Sequence, residues 1–286
     1  MSKNFFDLLE KTKPLKVVGA VNAYNALLAE KSGLEALYLS GAGVANASYG
    51  IPDLAMTSKD NVLEDLRRIK GVSELPVLVD CDTGWGSALS ISKTTKDMIS
   101  AGASGIHIED QVSSKRCGHR PNKEIVSKEE MVDRIKASKD SAENDFLLMA
   151  RTDAFAKEGI SGVIERCSAY VEAGANSIFP EAIVTLEDYS KLASNLKVPI
   201  LANITEFGLT PLFNDKELGD SGVDIILHPL SAFRAMSKAA EEIYLEISSK
   251  GSVEKKLEIM QSRDELYDVL NYHTYEQKID NLFSKD

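Results

Sequence analysis

Eight short runs of apolar and β-branched residues, spaced by amphipathic stretches, limit the folds open to this chain more than any other feature. KVVGAV (16–21), EALYLS (35–40), PVLVD (76–80), GIHIED (105–110), FLLMAR (146–151), SIFPE (177–181), PILAN (199–203) and DIILH (224–228) read as strands. Between them, segments such as 127–140 (SKEEMVDRIKASKD) and 162–175 (GVIERCSAYVEAGA) place apolar residues at helical spacing. Strand and helix in alternation imply parallel strands. Eight such units argue for an α/β fold of the (β/α)8 TIM-barrel type, ahead of a doubly wound open sheet. The phrases AGASGIHIE (101–109) and AGANSIFPE (173–181) repeat one device, a helix end, a glycine turn and a new strand. No linker divides the chain, so residues 1–286 read as one barrel domain.

Composition narrows the partners. With 33 basic against 44 acidic residues the net charge is -11, which repels a polyanion and speaks against nucleic acid. No apolar run approaches the roughly 20 residues that span a bilayer, and the N-terminal MSKNFFDLLEKTK has no signal-peptide core. Cys81, Cys117 and Cys167 lie far apart without paired spacing. The expectation is a soluble protein of a reducing cytoplasm that works on a small molecule.

Polar residues fall where the apolar runs stop: Ser40 and Gly41, Asp80 and Asp82, Glu109 and Asp110, Arg151 and Asp153, Glu181, Asn203 and Thr205. In a barrel these ends converge on one rim, where such folds keep their chemistry. Any single one of them could instead cap the helix that follows.

In VDCDTGWG (79–86), Asp80 and Asp82 stand one residue apart at a strand end and share an orientation, while Cys81 between them turns to packing. Together with Glu109 they form an oxygen-only set, which suits Mg²⁺ or Mn²⁺ rather than zinc. Arg151, Arg234 and Arg263 are candidates for substrate carboxylates through paired hydrogen bonds. Ser40, Asn203 and Thr205 add neutral donors. No P-loop or G-x-G-x-x-G pattern is present. The ligand class these residues suit is a small polyanionic organic acid, with phosphate the alternative.

One segment stands apart. SSKRCGHRPN (113–122) gathers Lys115, Arg116, His119 and Arg120 around Cys117 and Gly118 in an otherwise acidic chain, and reads as a mobile basic loop. A zinc site would need more Cys or His than the spacing supplies, whereas a redox-sensitive thiol would suit the basic setting.

KRCGH (115–119), with VDCDTGWG, GIHIEDQ, MARTDA (149–154), IFPEAI (178–183), LANITEFG (201–208), PLSAFRAM (229–236) and QSRDELY (261–267), resembles the isocitrate lyase and phosphoenolpyruvate mutase superfamily. The resemblance runs nearly end to end and is strongest to the branch that cleaves 2-methylisocitrate. It implies a barrel whose C-terminal helical segment, residues 230–286, is exchanged between subunits of a homotetramer. It also implies Mg²⁺-dependent cleavage of (2S,3R)-2-methylisocitrate, a small tricarboxylate, to pyruvate and succinate in the methylcitrate route of propionate breakdown. Isocitrate cleavage, or a non-catalytic dicarboxylate-binding thiol sensor, is the competing reading.

By the same resemblance Cys117 is the acid that protonates the succinate half, His119 shares in proton handling, and Tyr38 takes the hydroxyl proton. Asp82 binds the metal directly, Asp80 and Glu109 assist, and Asp53 lies nearby. Ser40, Gly41, Ala42, Lys115, Arg116, Gly118, His119, Arg151, Glu181, Asn203, Thr205, Arg234 and Arg263 are the expected substrate contacts. Ala42 departs from the second glycine frequent in relatives. Phe179, Leu227 and Pro229 resemble the methyl-accepting pocket.

Overall fold

A computed structural model describes residues 4–142 and 145–284. The eight expected strands are all present: β1 (Leu15–Gly19), β2 (Leu37–Leu39), β3 (Val77–Asp80), β4 (Gly105–Glu109), β5 (Leu147–Thr152), β6 (Ser177–Pro180), β7 (Leu201–Asn203) and β8 (Ile225–His228). Most are trimmed at one or both ends relative to the apolar runs. All pairings are parallel, in the order β6-β5-β4-β3-β2-β1-β8-β7. A single parallel bridge from Ile178 to Ile200 joins the two ends of that order and closes the (β/α)8 barrel.

The helices are α1 (Phe5–Lys11), α2 (Ala23–Lys31), the single turn α3 (Gly41–Gly43), α4 (Lys59–Lys70), α5 (Ala88–Ser100), α6 (Lys128–Lys139), α7 (Phe155–Glu172), α8 (Leu186–Asn195), α9 (Asp215–Asp220), α10 (Ser231–Lys250), α11 (Arg263–Leu270) and α12 (Tyr272–Phe283). Their starts follow the local chemistry. Ser58 and Asn61 form a capping box on α4, Ser127 caps α6 and Thr185 caps α8. Helix α7 is broken at Gly159, whose φ of 63° no helix accommodates.

Strand period sorts the side chains into two cores. Leu15, Val17, Tyr38, Leu78, Leu147, Met149, Phe179, Leu201, Ile225 and Leu227 fill the barrel interior, and Phe5, Leu8 and Leu9 of α1 pack against them as a plug. The alternate residues, among them Leu37, Leu39, Val77, Val79, Ile106 and Ile108, pack outward against the helices, and Cys81 joins this outer core as expected of a packing residue. Continuing the inward phase by two residues from Leu78, Met149, Phe179 and Leu201 reaches Asp80, Arg151, Glu181 and Asn203. The period that builds the core thus delivers the polar rim. At the other end of the chain α10, α11 and α12 contain no buried residue.

Candidate active site

The C-terminal rim encloses a cavity of about 390 Å³. Of the expected site residues, Tyr38, Ser40, Ala42, Asp53, Asp80, Lys115, Cys117, Gly118, His119, Arg151, Glu181, Asn203, Thr205 and Arg234 line it. Phe179, Pro229 and Leu230 supply an apolar wall, and Arg120, Glu206, Phe207 and Gly208 join the rim without having been singled out as contacts. A wider groove of about 510 Å³ lies between α1 and Pro199, lined by Phe6, Leu9, Glu10, Lys11, Thr12 and Lys13. Nothing there resembles the convergent charges of the rim.

The carboxylates form the floor. Asp80 accepts hydrogen bonds from Gly41 N at 3.0 Å, Asp82 N at 3.1 Å and Tyr38 Oη at 3.4 Å. Burial pushes its pKa up, but His107, Lys115 and Arg151 outweigh that and bring it to about 2. Asp82 follows in a left-handed turn at φ 47°, and burial with the charge of Asp80 raises its pKa to about 6 against the opposing pull of Lys115. A Cβ at Gly41 would lie 3.1 Å from Asp80 Oδ2 and 3.2 Å from Asp82 Oδ1, so the glycine leaves room for the pair. Glu109 is fully buried with neither carboxylate oxygen hydrogen-bonded, and burial drives its pKa well above the usual range.

Two cations hold this floor. Lys115 Nζ sits 2.7 Å from Asp82 Oδ1 and also contacts Asp53. Burial would lower its pKa, but Asp82, Glu109, Asp80 and Asp53 together raise it. Arg151 reaches Asp153 through Nε at 3.0 Å, Glu109 at 3.2 Å and Glu181 at 3.3 Å. Against Lys115, Arg151 and Lys123 stand six carboxylates, those of Asp53, Asp80, Asp82, Glu109, Asp153 and Glu181. The carboxylates outnumber the cations, and the Glu109 oxygens lack a hydrogen bond although one faces Arg151 Nη1 at 3.2 Å; an oxygen-only set of this kind suits a hard cation. Among the described residues no group of three or more acidic, His or Cys side chains is placed to hold a metal ion between them. A cation that takes one or two protein oxygens and keeps water and substrate oxygens for the rest does not need one.

Burial pushes the pKa of the Cys117 thiol up despite its cationic neighbours, so the sulfur keeps its proton at neutral pH. The ring of His119 is held on both sides: Leu209 N donates to Nδ1 at 3.0 Å, and Nε2 lies 3.2 Å from Glu181 Oε1 and 3.3 Å from Asn203 Nδ2. A Cβ at Gly118 would fall 2.4 Å from Arg151 Nη2 and 2.5 Å from Glu181 Oε2, so only glycine lets the loop settle this deeply. Tyr38 Oη lies 2.8 Å from His107 Nε2, and burial, then Asp80, hold its phenol pKa well above 10.0.

Not every expected residue reaches the cavity wall. Gly41, Asp82 and Glu109 lie beneath it, while Arg116 and Arg263 are exposed and lie outside it. Ser40 fills both roles weighed for a strand-end residue, since its Oγ accepts from Gly43 N at 3.2 Å as the α3 cap while the residue lines the cavity. Sequence reasoning missed Gln111 and Lys123, which support the Cys117 loop; their only sequence signal is nearness to that loop.

Comparison with known proteins agrees over nearly the whole chain. The family model described as phosphoenolpyruvate phosphomutase matches residues 5–248. The 2-methylisocitrate lyase of Escherichia coli (strain K12) is 55% identical over 285 residues, covering 99% of this chain and 96% of that protein. Oxaloacetate acetylhydrolase in complex with the inhibitor 3,3-difluorooxalacetate superposes with a TM-score of 0.90 at 29% identity, covering 98% of this chain and 96% of that one. Phosphonopyruvate hydrolase in complex with oxalate and Mg²⁺ superposes at 0.83 with 27% identity, over 97% and 96% of the two chains.

Proposed function

The chain belongs to the phosphoenolpyruvate mutase and isocitrate lyase superfamily, and from that premise we propose that it is a carbon–carbon lyase that splits 2-methylisocitrate into pyruvate and succinate. The observation that carries the reading is one cavity lined at once by the Cys117 thiol, the Arg151 guanidinium, the Asp80 carboxylate and the apolar ring of Phe179. A tricarboxylate with one added methyl needs these groups together.

In this reaction the tertiary hydroxyl loses its proton, the adjacent carbon–carbon bond breaks toward a ketone, and the electron pair left on the succinate half takes up a proton. Arg151, with Arg120 and Arg234 at the rim, orients the carboxylates by charge-assisted hydrogen bonds. Cys117 holds its proton on Sγ at neutral pH, as a general acid must. Tyr38 is our candidate for the hydroxyl proton: the burial that makes its phenolate scarce also makes it strongly basic. The loop above the cavity keeps water from the carbanion.

Asp82 and Asp80, with Glu109 behind them and Asp53 beside Lys115, would hold a divalent cation, Mg²⁺ with Mn²⁺ as substitute. When bound, such an ion stabilises negative charge on the hydroxyl oxygen. The donor set is oxygen only, and the solved relative carries Mg²⁺ beside oxalate.

We place the protein in a homotetramer in the cytoplasm, in propionate breakdown, with residues 1–286 as one barrel unit and residues 230–286 exchanged between subunits. Support comes from α10: a helix of 20 residues that covered its own barrel would bury a stripe, and it buries none. No helix among the described residues is long and apolar enough to cross a membrane.

The deciding test supplies purified protein and Mg²⁺ with 2-methylisocitrate or isocitrate in parallel. Pyruvate with succinate is the expected outcome. Faster glyoxylate release from isocitrate would overturn it.

A further inference from the structure

The Cys117 loop rises from a short antiparallel stem in which Gln111 bridges Ile125, Val112 N donates to Glu124 O at 3.0 Å and Val126 N donates to Asp110 O at 2.8 Å. Beyond the stem the loop no longer follows a ladder, and side chains hold it. The Gln111 amide grips the residue before the cysteine twice: Arg116 N donates to Oε1 at 3.0 Å and Nε2 donates to Arg116 O at 2.9 Å. Lys123 grips the residue after it, with Nζ donating to Gly118 O at 2.6 Å and to Asp153 Oδ1 at 2.6 Å. Gln111 is fully buried and Lys123 is 8% exposed, although neither lines the cavity.

We propose that Gln111 and Lys123 are positioning residues, a pair of latches that bracket Cys117 and hold its thiol in the closed position over the pocket. Resting on the lyase reading above, this assigns to two residues outside the site the task of setting where the acid stands. Only an amide fits the first latch, because Arg116 presents both a donor and an acceptor. The second latch needs a buried cation, because Gly118 O and the Asp153 carboxylate must be satisfied together. Asp153 also accepts from Arg151, at 3.0 Å through Nε and 3.3 Å through Nη2. Closing the loop therefore engages the same carboxylate that orients the guanidinium facing the substrate. With either latch gone, the backbone beside Cys117 satisfies itself in water and the loop opens.

The test measures labelling of Cys117 by iodoacetamide with mass spectrometry, alongside kcat, in Lys123→Met, Lys123→Arg and Gln111→Glu. Gln111→Glu keeps the shape but puts a carboxylate oxygen against Arg116 O. We expect Lys123→Met and Gln111→Glu to label at least about tenfold faster than the parent, with kcat reduced by a similar factor and Lys123→Arg closer to the parent. Continued protection of Cys81 and Cys167 reports an intact barrel; should Lys123→Met unmask them, the isosteric Gln111→Glu decides. Parental labelling rates in an intact Gln111→Glu protein would overturn the proposal. Labelling needs no turnover, so a failure of the lyase assignment would show separately, as absence of pyruvate from the parent protein.

Discussion

Lys115 places its ammonium 2.7 Å from a carboxylate oxygen of Asp82, so a loop residue neutralises a barrel-rim residue. The pair ties the Cys117 loop to the proposed cation site and sets a pH limit. Burial and then the charge of Asp80 raise Asp82 to about 6, with Lys115 pulling the other way. A folded-state value above the unfolded one means that the folded chain holds the extra proton between about 4 and about 6. The stability this group contributes is therefore full below that window and lost as pH rises through it. Metal binding runs the opposite way, because the cation competes with that proton. Mn²⁺ affinity, followed by electron paramagnetic resonance, should fall about tenfold per pH unit below about 6. In Lys115→Met the midpoint should move higher. A flat affinity from about pH 5 to 7 would remove Asp82 from the ligand set.

Cys117→Ser replaces the thiol by a hydroxyl that is a far weaker acid. Turnover should drop about 10²- to 10⁴-fold, the usual contribution of a general acid, while Mg²⁺ and succinate still bind by calorimetry. In the parent, activity should decline on the alkaline side only above the ordinary thiol range, because burial raises the Cys117 pKa. Turnover within a few-fold of the parent in the serine protein would end the case for sulfur as the acid.

The parts of the site that follow from strand period were legible in the sequence. Asp80, Arg151, Glu181 and Asn203 each lie two residues beyond an inward core residue, so the pattern that gives the barrel also gives the rim. Loop partners were not, since no period connects Lys115 to Asp53 or His119 to Leu209; these contacts join segments far apart in sequence. Lys115 shows the difference. Its charge suggested attraction of substrate, whereas its side chain is buried against Asp82 and Asp53. Arg263 shows the other limit: it opens α11 at an exposed position away from the cavity wall, and sequence reading had no means to place it.

Arg151 links Glu109, Asp153 and Glu181 from a nearly buried position. Arg151→Met leaves these carboxylates without their shared cation, and breaking such a buried pair costs about 3–5 kcal/mol. Denaturant titration should show a loss of that size, with turnover abolished. Arg151→Lys should recover part of the stability and little of the turnover, because an ammonium cannot reach three carboxylates in one plane. Unchanged stability in Arg151→Met would mean that the three carboxylates take up protons and are neutral without it.

The C-terminal helices leave Tyr244, Leu245, Leu282 and Phe283 at 62–77% exposure, an apolar surface that a single chain in water would not keep uncovered. On the proposed tetramer, Leu245→Glu combined with Leu282→Glu should lower the mass measured by light scattering toward smaller species. The barrel core lies elsewhere, so each chain should stay folded by circular dichroism. A monomeric parent protein would remove the exchanged-segment reading.

On the proposed reading, substrate choice rests on the apolar wall of the cavity. Phe179 is 1% exposed, meets His107 edge to face at 5.3 Å and lies 5.1 Å beneath the Arg151 guanidinium, so its ring is fixed from two sides. A rigid wall can favour a methyl group, but one methyl in an apolar pocket is worth only about 1–3 kcal/mol. Isocitrate, which lacks that methyl, should therefore be cleaved as a slow alternative. Its kcat/KM should be about 10- to 200-fold below that of 2-methylisocitrate, measured by glyoxylate and pyruvate release under identical Mg²⁺. Phe179→Leu frees the wall and should narrow the ratio by lowering the rate on 2-methylisocitrate more than that on isocitrate. Equal rates in the parent protein would mean that Phe179 does not contact the methyl at all.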